Sequence, residues 1–295
     1  MRGLWNSAIG LLIVTGTLLG LMLPFGKVAG EAGVPPVVWA MLVSAGAAAV
    51  LLITMRARNE RLGLDARRLR FYGISAAVSY AIPNLVVFSA MPHLGAGYMG
   101  IMYTLSPMFT LILSVIFRVR KPNLLGMLGI VIGFVGAVLV ATTRGEAGAP
   151  ASITWVGIGL TLPVLLACGN VYRTWDWPEG AGPTELAVGS HLASGLMLLG
   201  LAAVTGQLAG IALLGDLPGL SLAQVASAAG MFVCYFRLQA VSGPVYLSQI
   251  SYVAAAIAII AGTLLLGETY AFLTWIGTAI IFVGVVMTTK AQAAG

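Results

Sequence analysis

The chain has 295 residues, of which 59% are hydrophobic and only 8% are charged, and it carries a net charge of +6. Soluble domains carry about 25% charged side chains. This composition therefore excludes a soluble enzyme, a soluble nucleic-acid binder and a disordered chain, and it indicates an all-α polytopic membrane protein.

A membrane span needs roughly 20 apolar residues. In chain order the runs of that kind are Ser7–Phe25, Val34–Met55, Phe71–Met91, Gly95–Phe117 and Asn123–Thr142, then Thr154–Val171, Thr184–Thr205, Ser221–Ala240, Pro244–Leu266 and Phe272–Thr289. That makes ten transmembrane helices joined by short connections. The junctions Met91–Gly95 and Ala240–Pro244 are short enough to be breaks within helices. The first run reads as a span rather than a cleaved signal, because the repeat below makes it the counterpart of the sixth. Pro24 lies at its end, where a proline can simply stop a helix. The two cysteines, Cys168 and Cys234, fall inside apolar runs and give neither a disulfide pattern nor a metal spacing.

Lys and Arg set the orientation. With ten spans both tails lie on one side. Of the 15 basic residues only Lys27 and Arg144 map to the opposite side. Arg2, the Arg56–Arg70 cluster, Arg118, Arg120, Lys121, Arg173, Arg237 and Lys290 all map to the tail side. Both tails are therefore expected in the cytoplasm. The Arg56–Arg70 cluster is expected as a loop, not a nucleic-acid patch. Trp5, Trp39, Trp155 and Trp275 sit at span ends, as an aromatic belt does.

The two halves of the chain are related. Gly129 and Gly136 meet Gly277 and Gly284 at an offset of 148 residues, and at the same offset Gly95 meets Gly243 and Tyr98 meets Tyr246. With a one-residue slip, Pro36 meets Pro183. An odd number of spans per half forces the second copy to insert upside down. The reading is thus two inverted five-helix repeats, residues 1–146 and 147–295, around a central cavity near the midplane.

Ten spans in two halves, each ending in a Gly-x6-Gly helix, resemble the drug/metabolite transporter superfamily in its EamA-type branch. The second half carries the better signature: Gly267-Glu268, then Trp275-Ile276-Gly277 and Phe282-Val283-Gly284-Val285-Val286. The first half departs from it, with Val119-Arg120 where the family often has Gly-Glu. Within the branch the chain looks most like bacterial exporters of aromatic and other amino acids, which also confer resistance to dicationic herbicides. The resemblance implies that spans 1, 3, 4, 6, 8 and 9 line the cavity, with spans 5 and 10 behind them as packed supports.

Polar side chains in hydrocarbon are costly and usually face a bundle interior or a watery cavity. Tyr80 and Asn84 share a face of the third span, with Pro83 between them to free a backbone carbonyl. Tyr98 and Tyr246, with their neighbours Met102 and Gln249, either face each other across the axis or belong to the interfacial belt. Tyr252 lies deeper. Asn170 is either a substrate contact or glue between helices. Tyr235 and Gln239 share a face of span eight toward the tail side. His191 can relay a proton or serve as a plain interhelical histidine. Pro83, Pro107 and Pro163 are expected hinges. Arg173 is expected in a tail-side connection, and no acidic or basic residue is expected deep in a span.

The absence of a deep carboxylate disfavours a proton-coupled exporter of cations. The absence of deep Lys or Arg disfavours a carrier of phosphorylated sugars. No HExxH, Walker sequence or filter-like loop is present, so an intramembrane enzyme, an ATP-driven pump and a channel are all disfavoured. The expected function is export of neutral and aromatic amino acids such as Phe, Thr and Met by alternating access. The transporter is expected to be facilitated or weakly coupled, monomeric, without cofactor or metal, and surrounded by lipid. The alternative is a multidrug or quaternary-cation exporter driven by proton antiport.

Overall fold

A computed structural model of the chain describes residues 7–118, 124–143, 145 and 150–293. Arg2, Trp5, Val119, Arg120, Lys121, Arg144 and the expected junction at residues 146/147 lie outside the described residues. Among the described residues the structure is helical: α1 Ala8–Glu31, α2 Pro36–Ala57, α3 Ala66–Leu94, α4 Ala96–Ile116, α5 Leu124–Thr143, α6 Ile153–Trp175, α7 Pro183–Val204, α8 Pro218–Ser248, α9 Ile250–Leu266 and α10 Phe272–Ala293. Eight of them are long and apolar enough to cross a bilayer; α9 and residues 272–284 of α10 are shorter apolar helices. The molecule is a ten-helix membrane protein built as two five-helix repeats.

Local chemistry sets the ends. Ser7 caps α1 by accepting from Gly10 N at 3.1 Å. Asp65 does the same for α3, accepting from Arg68 N at 3.1 Å. Pro36, Pro183 and Pro218 open α2, α7 and α8, where the missing N–H costs no hydrogen bond. Gly267 closes α9 in the left-handed conformation, φ 69°.

Three helices are interrupted. In α3 a π-helical turn spans Ala76–Ala81, just before Pro83. A proline cannot donate to the carbonyl four residues earlier and its ring crowds that carbonyl, so the turn widens there. In α4 the helix breaks at residues 104–105, between Ala96–Tyr103 and Ser106–Ile116, with Pro107 in the first turn of the second piece. In α8 the chain is non-helical at Gly243, φ 74°, so residues 244–248 and α9 together make the ninth crossing. Gly243 and its repeat mate Gly95, φ 87°, both need positive φ. The two junctions that were ambiguous in the sequence are thus true breaks. Pro24, in contrast, does not stop α1; it is buried inside a helix that runs on to Glu31.

Packing follows the duplication. The α5/α10 and α2/α7 pairs join mate to mate, while α1 packs on α8 and α9 just as α6 packs on α3 and α4. The glycine repeats give the direction. A Cβ at Gly136 would lie 2.7 Å from Gly277 O, and one at Gly284 would lie 2.5 Å from Gly129 O. Each glycine meets the mate of the other, so α5 and α10 run antiparallel about a twofold, as inverted halves require. These glycines are packing positions where only hydrogen fits.

Candidate functional site

The central cavity opens where the two halves meet. It is lined from α1, α3, α4, α6, α8 and α9, with residues 244–248 of the ninth crossing included. Four pairs of repeat mates face it: Met22 and Asn170, Pro83 and Met231, Asn84 and Phe232, Tyr103 and Ser251. A cavity lined by mates sits on the pseudo-twofold axis, which gives both halves equal access to it. Within each pair the chemistry differs, so the cavity itself is asymmetric. It is narrow, with a volume of about 60 Å³.

Of the residues singled out in the sequence, Tyr80, Asn84 and Asn170 are brought together here, with Pro83 beside them. Tyr80 is 3% exposed, and its hydroxyl and the Asn84 amide nitrogen have no hydrogen-bond partner among the described residues. His191 stands directly behind, fully buried, its ring 4.2 Å from that of Tyr80 and 3.8 Å from that of Phe232. Neither of its nitrogens has a partner among the described residues.

The other sequence candidates lie elsewhere. Tyr98 is fully buried and donates to Val140 O at 2.9 Å, which ties α4 to the support helix α5. Tyr246 is half-buried on the short segment after Gly243 and does not line the cavity, so the mate tyrosines do not meet across it. Met102 packs toward the Gly159 position of α6. Gln249 sits in the break between α8 and α9. Tyr252 lines an apolar groove between α9 and α10. Pro163 is buried within α6.

The structure adds a residue that the sequence reading placed in a connection. Arg173 is the third residue from the end of α6, yet it is 1% exposed. Helical side chains lean toward the N-terminus, so its guanidinium reaches back into the bundle instead of out to the tail side. Nε donates to Gln239 Oε1 at 2.9 Å, and Nη2 donates to Asn170 Oδ1 at 2.8 Å and to the Tyr235 hydroxyl. Its Cζ lies 5.5 Å from the Tyr80 ring centroid and 5.1 Å from that of Tyr235, within cation–π range. Asn170 and Tyr235 line the cavity, while Gln239 and Thr174 line a separate depression on the tail side. The Arg173 cluster is therefore the partition between the two.

A second buried charge, also hidden in the sequence, ties α1 and α4 to the turn after α9. Glu268 is 1% exposed. Its carboxylate accepts from Lys27 Nζ at 2.8 Å, from Ala96 N at 2.6 Å, from Gly97 N at 3.0 Å and from the Tyr270 hydroxyl. Lys27 belongs to α1, not to a connection. Burial alone raises the Glu268 carboxyl above its ordinary value; the hydrogen bonds from Lys27, Tyr270 and the two N–H groups outweigh this, and the net shift is downward. Among the described residues no cluster of His, Cys, Asp and Glu is arranged to hold a metal.

With this geometry in view, the comparisons place the chain. A family profile described as the EamA-like transporter family matches residues 6–142 and again 150–290. Comparison with curated proteins gives no match. A crystal structure of a protein shares the fold with a TM-score of 0.61 and 16% identity, over 95% of this chain and 96% of that chain.

Proposed function

The chain belongs to the EamA-like transporter family, and on that premise we propose that it exports neutral and aromatic amino acids such as Phe, Thr and Met. One observation carries this reading. The cavity on the axis between the halves is lined by aromatic rings, hydroxyls and amides, and no carboxylate is among its lining residues as far as the described residues go. Aromatic and aliphatic side chains suit Tyr80, Phe232 and Met231, while Asn84, Asn170, Ser248 and Ser251 offer neutral hydrogen bonds to a zwitterion. A dication would find no counter-charge there, so the quaternary-cation reading is disfavoured.

In this reading the halves rock about the cavity. It closes on one side through Arg173, Asn170, Tyr235 and Gln239, and on the other through Lys27 and Glu268. The π turn before Pro83, the break at residues 104–105 before Pro107, and Pro163 supply the bends. Transport is facilitated or weakly coupled, with His191 behind the cavity as a group available for a proton. The tails lie in the cytoplasm of a bacterial-type cell, the inner membrane is the site, and the monomer is the working unit.

Counterflow tests the reading. Purified protein in liposomes preloaded with unlabelled Phe, Thr or Met is expected to accumulate the labelled amino acid without an imposed pH gradient. Exchange of cations alone, and only against a pH difference, overturns it.

A further inference from the structure

Arg173 has five N–H donors and a fixed positive charge, and it is buried with neutral partners only: no carboxylate pairs with it among the described residues. A buried charge without a counter-ion is expensive, and proteins ordinarily pair it. Asn170, Gln239 and Tyr235 satisfy Nε and Nη2 but leave Nη1 without a hydrogen bond among the described residues.

One further donor stands beside that free edge, and a second belongs to the ring that the guanidinium faces. Ser79 is 7% exposed, lines the cavity, and its hydroxyl has no partner among the described residues. The Tyr80 hydroxyl, also in the cavity wall, is likewise unpartnered. Gly169 lets Ser79 and Arg173 converge: a Cβ there would lie 2.5 Å from Ser79 Oγ and 3.1 Å from Arg173 Nη1. The tail-side wall of the cavity thus carries two hydroxyls without a partner among the described residues, with the buried Arg173 cation behind them. A carboxylate supplies only acceptors and one negative charge, which is the complement of this set.

We propose that Arg173, with Ser79 and Tyr80, is the docking site for the carboxylate of the transported molecule. This deepens the amino-acid reading and rests on it: the ligand class becomes small organic carboxylates, with the ammonium group secondary. When the carboxylate binds, it takes up the Nη1 edge, and the partition between the cavity and the tail-side depression gains a charge partner from the substrate itself. Arg173 is then both a substrate ligand and part of the inner barrier.

Two measurements separate this inference from the function it builds on. The first is thermal stabilisation of the purified wild-type protein by single-group analogues of phenylalanine. 3-Phenylpropionate, which keeps the carboxylate, is expected to raise the melting temperature; phenethylamine, which keeps the ammonium, is expected to leave it unchanged. Equal effects of the two, an effect of the amine alone, or no effect of the acid overturns the carboxylate site. This arm needs no variant and no transport.

The second is phenylalanine counterflow with the same analogues as competitors, which tests the export reading separately. Arg173→Gln is expected to weaken inhibition by 3-phenylpropionate about 10- to 100-fold, the weight of a charge-assisted hydrogen bond, and Arg173→Lys is expected to recover part of the loss. Ser79→Ala, a smaller change, is expected to weaken it several-fold by losing one neutral hydrogen bond. Unaltered acid inhibition in both folded variants overturns the assignment of Arg173 and Ser79 while leaving amino-acid export standing.

Discussion

Lys27 Nζ lies 2.8 Å from Glu268 Oε1 across 241 residues of sequence, and the pair joins the end of α1 to the turn after α9. The same carboxylate holds the first two N–H groups of α4, Ala96 and Gly97, where the helix dipole also favours negative charge. One side chain thereby pins three crossings. The repeat mates of Ala96 and Gly97 are Pro244 and Val245, and a proline offers no N–H, so a carboxylate at the other pole would find fewer donors.

Removing Lys27 leaves the Glu268 charge buried with one partner fewer. Lys27→Met is expected to destabilise the protein by about 3–5 kcal/mol, the usual cost of breaking a buried pair from one side. Glu268→Gln is expected to cost less, because Lys27 still has Glu31 at 4.0 Å, on a side chain that is 58% exposed. The double variant is expected to resemble Glu268→Gln alone. Thermal melts of the four proteins in one detergent check the coupling.

The same carboxyl predicts an acid response. Its value is held below the ordinary 4.5, so the native state favours the ionised form more than the unfolded chain does. This stabilisation is fully present above about pH 4.5 and is lost as pH falls through the lower native value. Melting temperature against pH is expected to drop on the acid side for the wild type and to drop less for Glu268→Gln.

The α5/α10 seam has no room for a methyl group. A Cβ at Gly284 would meet Gly129 O and Gly133 N, both at 2.5 Å, and backbone atoms cannot swing away. Gly284→Ala is expected to destabilise by about 1–3 kcal/mol. Gly157→Ala on the exposed face of α6, where nothing lies within 4 Å, is expected to be neutral or slightly stabilising, as an alanine in a helix should be. Equal melting temperatures for the two variants would contradict the seam.

Tyr80 and Tyr98 are expected to respond differently to loss of the hydroxyl. Tyr98→Phe removes the hydrogen bond to Val140 O and is expected to lower stability by about 1 kcal/mol, with substrate affinity unchanged. Tyr80→Phe removes an unpartnered hydroxyl from the cavity wall and is expected to weaken substrate binding with stability kept. Competition assays and melts on the same preparations separate the two outcomes.

The sequence by itself determined the ten crossings and the duplication, and it narrowed the junctions at Gly95 and Gly243 to a connection or a break. A span is a run of apolar residues long enough for the bilayer, a positive φ calls for glycine, and a repeat shows as a constant offset. It also marked Tyr80, Asn84 and Asn170, since a polar group within such a run is conspicuous. Tertiary structure alone decided which polar groups meet. Near a span end, Arg173 reads as a loop residue or an interfacial anchor, and only the lean of its side chain and the presence of Tyr235 and Gln239 on α8 turn it inward. Likewise Tyr98 and Tyr246 are mates in sequence, but a twofold fixes where mates sit, not what each side chain touches; Tyr98 faces α5 because the Val140 carbonyl is there to accept its proton. Charges distant in sequence, such as Lys27 and Glu268, acquire meaning only when folding removes both from water and leaves each as the other's partner.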